Sequence, residues 1–123
     1  MIDGAHFLLY SSSPDADRDF LRNILELSSV DAGRGWLIFA LPPSEIAVHP
    51  MSEGASPSAD GVVGASLHLM CDDLKETMKS LAAKGVRFAD VHEERWGIVT
   101  TFSLPGGGNV GLYQPLHPRA TTS

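Results

Sequence analysis

Phe39-Ala40-Leu41-Pro42 and Phe102-Ser103-Leu104-Pro105 are one phrase written twice, 63 residues apart. Trp36 stands ahead of the first and Trp96 ahead of the second. Each phrase is followed by a short apolar stretch that ends in a proline, Pro50 or Pro115. Upstream, His6 and His68 stand 62 residues apart, each in an apolar run that leads into a helical pattern. A repeat at half the length of a 123-residue chain predicts two copies of one supersecondary unit that bury a common face against each other. Function in such a fold belongs in the groove between the copies.

Working outward, residues 5–11 (AHFLLYS) read as a short buried strand closed by serines. Ser12 or Ser13 caps a helix that has Pro14 in its first turn, Asp15 and Asp17 at its positive end, and runs to about Leu27. Phe20, Leu21, Ile24 and Leu25 form its apolar stripe. Residues 31–35 (DAGRG) make a turn, and 36–41 and 45–49 form two strands joined at Pro42-Pro43-Ser44. Residues 51–63 are small and polar, the one plausible linker. The second copy begins with a strand over 64–71. Its helix is capped by Asp73 with Glu76 three residues on, lined by Leu74, Met78, Leu81 and Ala82, and ended at Lys84-Gly85. Strands over 86–91, 97–104 and 110–114 follow, the last two around Gly106-Gly107-Gly108. The order is strand, helix and two or three strands, twice over, which predicts an α+β fold. The expected organisation is a single domain, with a first module at 1–50, the linker at 51–63, a second module at 64–118 and a tail at 119–123.

Composition narrows the partners. With 43% hydrophobic residues the chain suits a globular domain, and no apolar run approaches the roughly 20 residues needed to cross a bilayer. The start of the chain lacks a basic region, so no secretory leader is expected. A single cysteine, Cys71, excludes an internal disulfide and suits a reducing cytoplasm. A net charge of −6 speaks against nucleic acid and anionic membranes, and fits a small neutral or cationic ligand or a protein partner.

Side chains of a strand alternate between faces. His6, Leu8 and Tyr10 share one face of the first strand, and Ser66, His68 and Met70 share one face of its counterpart. Glu45, Ala47 and His49 alternate with Ile46 and Val48, and Gly111 pairs with Tyr113 opposite Leu112. The mixed sets face the open side of the sheet, so His6, Glu45, His49, Ser66, His68, Gly111 and Tyr113 line one concave surface. Tyr10, Trp36, Trp96 and Tyr113 are either a stacking wall for a flat ligand or core rings with a satisfied polar atom. Gly106-Gly107-Gly108 precedes a strand rather than a helix, so it is a hairpin turn and not a phosphate cradle. Cys71 falls on the helix-packed face beside Asp72 and Asp73, which oppose a thiolate, and is expected to be inert. No nucleophile elbow appears.

Three stretches carry a family resemblance. They are His6 ahead of Asp19-Phe20-Leu21, Leu69-Met70-Cys71-Asp72-Asp73 leading into Leu81-Ala82-Ala83-Lys84-Gly85-Val86, and Pro105-Gly106-Gly107-Gly108-Asn109 leading to Leu112-Tyr113-Gln114-Pro115. Over nearly its whole length the chain resembles the vicinal oxygen chelate superfamily, the glyoxalase/bleomycin resistance protein/dioxygenase group. The resemblance implies two βαβββ modules forming a cupped mixed or antiparallel sheet with helices on its outer face, usually in a homodimer. It also implies a divalent metal in many members and a metal-free ligand cup in others. Transferred residue by residue, His6 matches the first metal ligand and Glu45 the second, with His49 a same-face substitute. The third ligand position falls on Ser66, with His68 two residues further on, and the fourth on Gly111. Serine is a poor ligand beside imidazole or carboxylate, and glycine supplies none. The resemblance therefore points to a cytoplasmic, dimeric small-molecule binder with an incomplete metal site. Its ligand would be held by His6, Tyr10, Trp36, Glu45, His49, Ser66, His68, Trp96 and Tyr113. The alternatives are a divalent-metal lyase, isomerase or dioxygenase using His6, Glu45 and His68 in an open three-ligand site, and a structural or partner-binding dimer.

Overall fold

Among the described residues the chain forms, in order, α1 (Pro14–Asn23), β1 (Ser29–Asp31), β2 (Leu37–Phe39), β3 (His68–Met70), α2 (Leu74–Ala82), β4 (His92–Glu94), β5 (Gly97–Ser103) and β6 (Asn109–Pro115). The structure, a computed structural model, describes Met1, residues 5–48 and residues 64–120. The expected linker at 51–63, His49 and residues 121–123 lie outside them. The fold is α+β. β1 and β2 pair antiparallel as a hairpin, while β3, β6, β5 and β4 form a four-stranded mixed sheet in that order. Within it β3 runs parallel to β6 and β4 antiparallel to β5. The segment from β3 through β6 is one complete βαβββ module.

Two compact units are present. One comprises Met1–Ala40 with Ser103–Asn109, and the other Leu41–Phe102 with Val110–Ser123. The second holds most of the core. Leu74 and Leu81 of α2, Val86, Phe102, Val110, Leu112 and Tyr113 are all buried, and Thr100 is 1% exposed with its hydroxyl donating to Ala89 O at 2.7 Å. In the first unit Asp17 is buried. Its Oδ1 accepts the Gly106 N–H at 2.7 Å, and Ser12 Oγ donates to Gly106 O. That unit also contains the Gly106-Gly107-Gly108 turn, which is closed by Leu104 N–H on Gly108 O and Gly107 N–H on Leu104 O.

Local signals worked where a side chain makes the structure by itself. Asp73 caps α2 by accepting the Glu76 N–H at 3.1 Å, and the chain leaves the helix through Gly85 at φ +94°. Asp31 shapes the first hairpin, its carboxylate accepting the N–H groups of Gly33 and Gly35.

Elsewhere the structure corrects the sequence. Ser13 occupies the α1 cap position without a side-chain cap bond. The helix stops at Asn23 rather than near Leu27. There Glu26 turns left-handed at φ +58°, with Leu25 N–H on Phe20 O and Leu27 N–H on Leu21 O, a helix end that no glycine announces. Residues 86–91 were expected as a strand, but the strand is instead His92–Glu94, a polar triplet ordered by pairing with β5. Residues 5–11 and 45–48 form no strand, because apolar alternation makes a strand only where another strand completes its hydrogen bonds.

Candidate functional site

The second unit gathers aromatic rings on one sheet face. β3 and β6 lie in parallel register with His68 opposite Gly111 and Met70 opposite Tyr113. The His68 ring occupies the space a side chain at 111 would need, because a Cβ built there would stand 2.7 Å from His68 Cγ. On β5, a Cβ at Gly97 would stand 2.9 Å from Tyr113 Cδ2. Glycine at these two positions is therefore what lets the imidazole and the phenol lie close over the strands. Tyr113 is the hub. His68 meets it edge-on at 6.0 Å and 82°, Trp96 at 5.3 Å and 78°, and His117 at 5.9 Å and 34°. The phenol is buried, whereas Trp96 and His68 are open to solvent.

Polar groups complete the cluster. Tyr113 Oη lies 3.1 Å from His117 Nε2, and His117 Nδ1 lies 2.7 Å from Pro118 O. A carbonyl only accepts, so Nδ1 carries a proton, and Nε2 faces the phenol. Glu45 Oε1 lies 3.9 Å from the same Nε2, and Glu45 Oε2 accepts the Ala120 N–H at 2.6 Å. Ser66 Oγ stands 3.4 Å from His68 Nδ1. Burial raises the pKa of Tyr113, and the Glu45 charge adds to this while Arg119 opposes it. Cys71, whose Sγ donates to Tyr113 O at 3.5 Å, has its pKa raised by burial, with Asp72 and Asp73 adding to it. That is the environment of an unreactive thiol.

No protein-family model matches the chain, and no curated protein sequence does. Solved structures do match. TnmS3, an antibiotic binding protein from Streptomyces sp. CB03234, aligns with a TM-score of 0.63 at 22% identity, over 94% of this chain and 98% of its own. Lactoylglutathione lyase from Agrobacterium tumefaciens aligns with a TM-score of 0.62 at 18% identity, over 91% and 92%. A glyoxalase/bleomycin resistance protein/dioxygenase superfamily member from Sphaerobacter thermophilus DSM 20745 aligns with a TM-score of 0.57 at 22% identity, over 92% and 98%. The chain has the glyoxalase/bleomycin resistance/dioxygenase fold.

Of the residues singled out in the sequence, this glyoxalase-like fold brings His68, Trp96, Tyr113 and Glu45 into one cluster, with Ser66 beside His68. His6, Tyr10 and Trp36 belong to the other unit. There His6 and Tyr10 are exposed, and Trp36 lies under the Arg18 guanidinium at 4.8 Å. His117 was missed. It follows the last strand and precedes a proline, where no periodicity marks a side chain as inward-facing. Among the described residues no three His, Cys, Asp or Glu side chains gather as a metal-ligating group. The local chemistry agrees, since the His68 ring fills the place of a fourth ligand at Gly111 and Glu45 is engaged by a backbone N–H. Taken by themselves, the described donors beside Tyr113 fit a resident divalent ion poorly. A separate groove of about 590 Å³ lies on the opposite, helix-packed face, between Leu74, Met78 and Ala82 of α2 and Phe88, Val91 and Ile98.

Proposed function

We propose that this protein is a glyoxalase/bleomycin-resistance-like binder of a small organic molecule, which it takes against the ring-bearing face of its sheet beside an incomplete metal site. The observation that carries this reading is the Tyr113 cluster, a buried phenol braced by three further rings, of which Trp96 and His68 remain open to solvent. Rings so arranged offer a flat ligand faces and edges to stack on, and Glu45, His117 and Ser66 supply the few polar atoms that fix orientation. TnmS3, an antibiotic binding protein of the same fold, supports a binding role. The competing reading, a metal-dependent lyase, isomerase or dioxygenase, would use His6, Glu45 and His68 as an open three-ligand site, and one Glu45 oxygen already accepts the Ala120 N–H.

The working form is a homodimer in the cytoplasm. Phe7, Leu8, Leu9 and Tyr10 are 48–79% exposed, and Ile46 and Val48 are 89% and 93% exposed. Two apolar runs of strand character left this open are the kind of surface a second copy covers. The cytoplasmic placement rests on a lone thiol, Cys71, and on the described residues holding no helix long and apolar enough to cross a membrane.

A thermal-shift screen with an antibiotic and aromatic-compound library tests the function. A ligand at a hundredfold excess over its Kd adds about 2.7 kcal/mol to stability, a readable rise in melting point. Trp96→Ala should abolish that rise with little change in the apo melting point. Elemental analysis of untagged protein should find well under one divalent ion per chain. Stoichiometric metal would overturn the binder in favour of the enzyme, and silence across the library would favour a structural dimer.

A further inference from the structure

Glu45 is an acidic group held among rings rather than in open solvent. Its side chain is 18% exposed, and its charge is close enough to raise the pKa of Tyr113. One oxygen, Oε2, is taken by the Ala120 N–H. The other, Oε1, receives no hydrogen bond among the described residues, and His117 Nε2 stands 3.9 Å from it, beyond hydrogen-bond reach. A half-satisfied carboxylate beside Tyr113 and His117, with Trp96 and His68 one ring further out, is a recognition element for an organic cation. The rings attract positive charge through their faces, and the carboxylate takes an N–H in a charge-assisted bond.

The donor now on Oε2 belongs to the segment His117–Ala120. Contacts that hold that segment include His117 on Tyr113, Ala120 on Glu45, and Arg119 on Asp72 at 3.3 Å. The last is an ion pair on a fully exposed aspartate, and such pairs hold weakly. When the segment leaves, Arg119 leaves with it, and the site loses a charge that repels cations.

We infer that the ligand of the ring-bearing face is an organic ammonium whose N–H takes Glu45 from the Ala120 amide, so that the segment His117–Ala120 is an internal competitor for the site. This rests on the binding role proposed above and adds the ligand's charge and the occupant it displaces. The protein's net charge of −6 favours the approach of such a ligand.

The test uses two probes that differ only at the polar end, phenethylamine and phenethyl alcohol. Trp96 fluorescence in a Trp36→Phe background reads binding. At neutral pH the amine is expected to bind about tenfold more tightly than the alcohol. Glu45→Gln, which keeps an oxygen for the Ala120 N–H, should bring the two affinities to parity, while Glu45→Asp keeps the charge and the preference. Ala120→Pro, which removes the competing N–H, should tighten amine binding roughly threefold by freeing the site. Equal affinities in the parent protein, or a preference that survives Glu45→Gln, overturn the inference and leave the binding role standing. An unchanged amine affinity in Ala120→Pro overturns the competitor. A Trp96 signal that answers to neither probe overturns the inference, and the library screen then decides the binding role separately.

Discussion

The first half of the chain and the second carry the same pattern and reach different states of completion. β4, at His92–Glu94, begins 63 residues after β1 at Ser29–Asp31. Both lead through a turn into the strand that carries the repeated phrase, β2 or β5. α1 and α2 stand at matching places ahead of them. The difference lies in the first and last strands of each copy in chain order. In the second half they are β3 and β6, paired in parallel and buried along β6. Their counterparts, 5–10 and 45–48, have the same apolar alternation but no ladder, and their large side chains are exposed. A similar pattern therefore produces a sheet where a partner strand is in place and an open chain where it is not, because a strand's hydrogen bonds and cross-strand contacts are completed by its neighbour.

The sharpest way to break this contrast is to shorten the same residue of the phrase in each copy. Phe102 is buried and meets Phe88 edge-on at 5.9 Å, whereas Phe39 is half-buried. Phe102→Ala should cost about 3–5 kcal/mol in urea denaturation. Phe39→Ala should cost about 1 kcal/mol, in the ordinary range for a partly exposed site. Equal losses would mean that the first copy is as closed as the second. Next in size is Gly111→Ala, which sets a methyl against the His68 ring and should cost about 1 kcal/mol, since that ring is exposed and can swing aside. In a His68→Ala background the same substitution should cost close to nothing, and the double-mutant cycle measures the coupling.

The limits of sequence reading follow the same division. The α2 cap, the Asp31 turn, the triple-glycine hairpin and the two long strands were legible because each is made by residues close in sequence. β4 was not legible, since His92-Glu93-Glu94 has no strand character and owes its conformation to β5. Alternation also put His68, Gly111 and Tyr113 on one face, and the register confirms it. What alternation does not carry is how a ring fills a neighbour's vacancy. Gly111 was visible as a missing ligand, but the His68 ring lying in its place was not. His117 and the Ala120 amide were invisible for a plainer reason. They act from irregular chain beyond the last strand, where a side chain's direction has no period.

If a second copy covers the open strands, charges placed there should separate the copies without unfolding either. Leu8→Lys and Ile46→Lys should change the unfolding free energy by no more than about 0.5 kcal/mol at high dilution, where both side chains are already exposed. Sedimentation at higher concentration should show a dimer in the parent and a monomer in the variants. A monomeric parent would mean that the open half is the finished state.

The smallest expected effect is a titration, and it asks whether Glu45 truly belongs to the cluster. Tyr113 is one of two tyrosines, so a Tyr10→Phe background leaves its phenol as the only one to follow by ultraviolet absorbance. Burial, and then the Glu45 charge, hold the proton on Tyr113 above the ordinary tyrosine value of about 10. The unfolded chain releases that proton first as pH rises, so in the window between the ordinary and the raised value it carries fewer protons than the folded chain. Stability contributed by the neutral phenol is therefore complete below about pH 10 and falls as pH climbs through the folded pKa. Glu45→Gln should move the titration midpoint down toward the ordinary value without reaching it, because burial remains the larger cause. A midpoint indifferent to Glu45→Gln would remove Glu45 from the cluster and leave the rings of the second half as a purely apolar face.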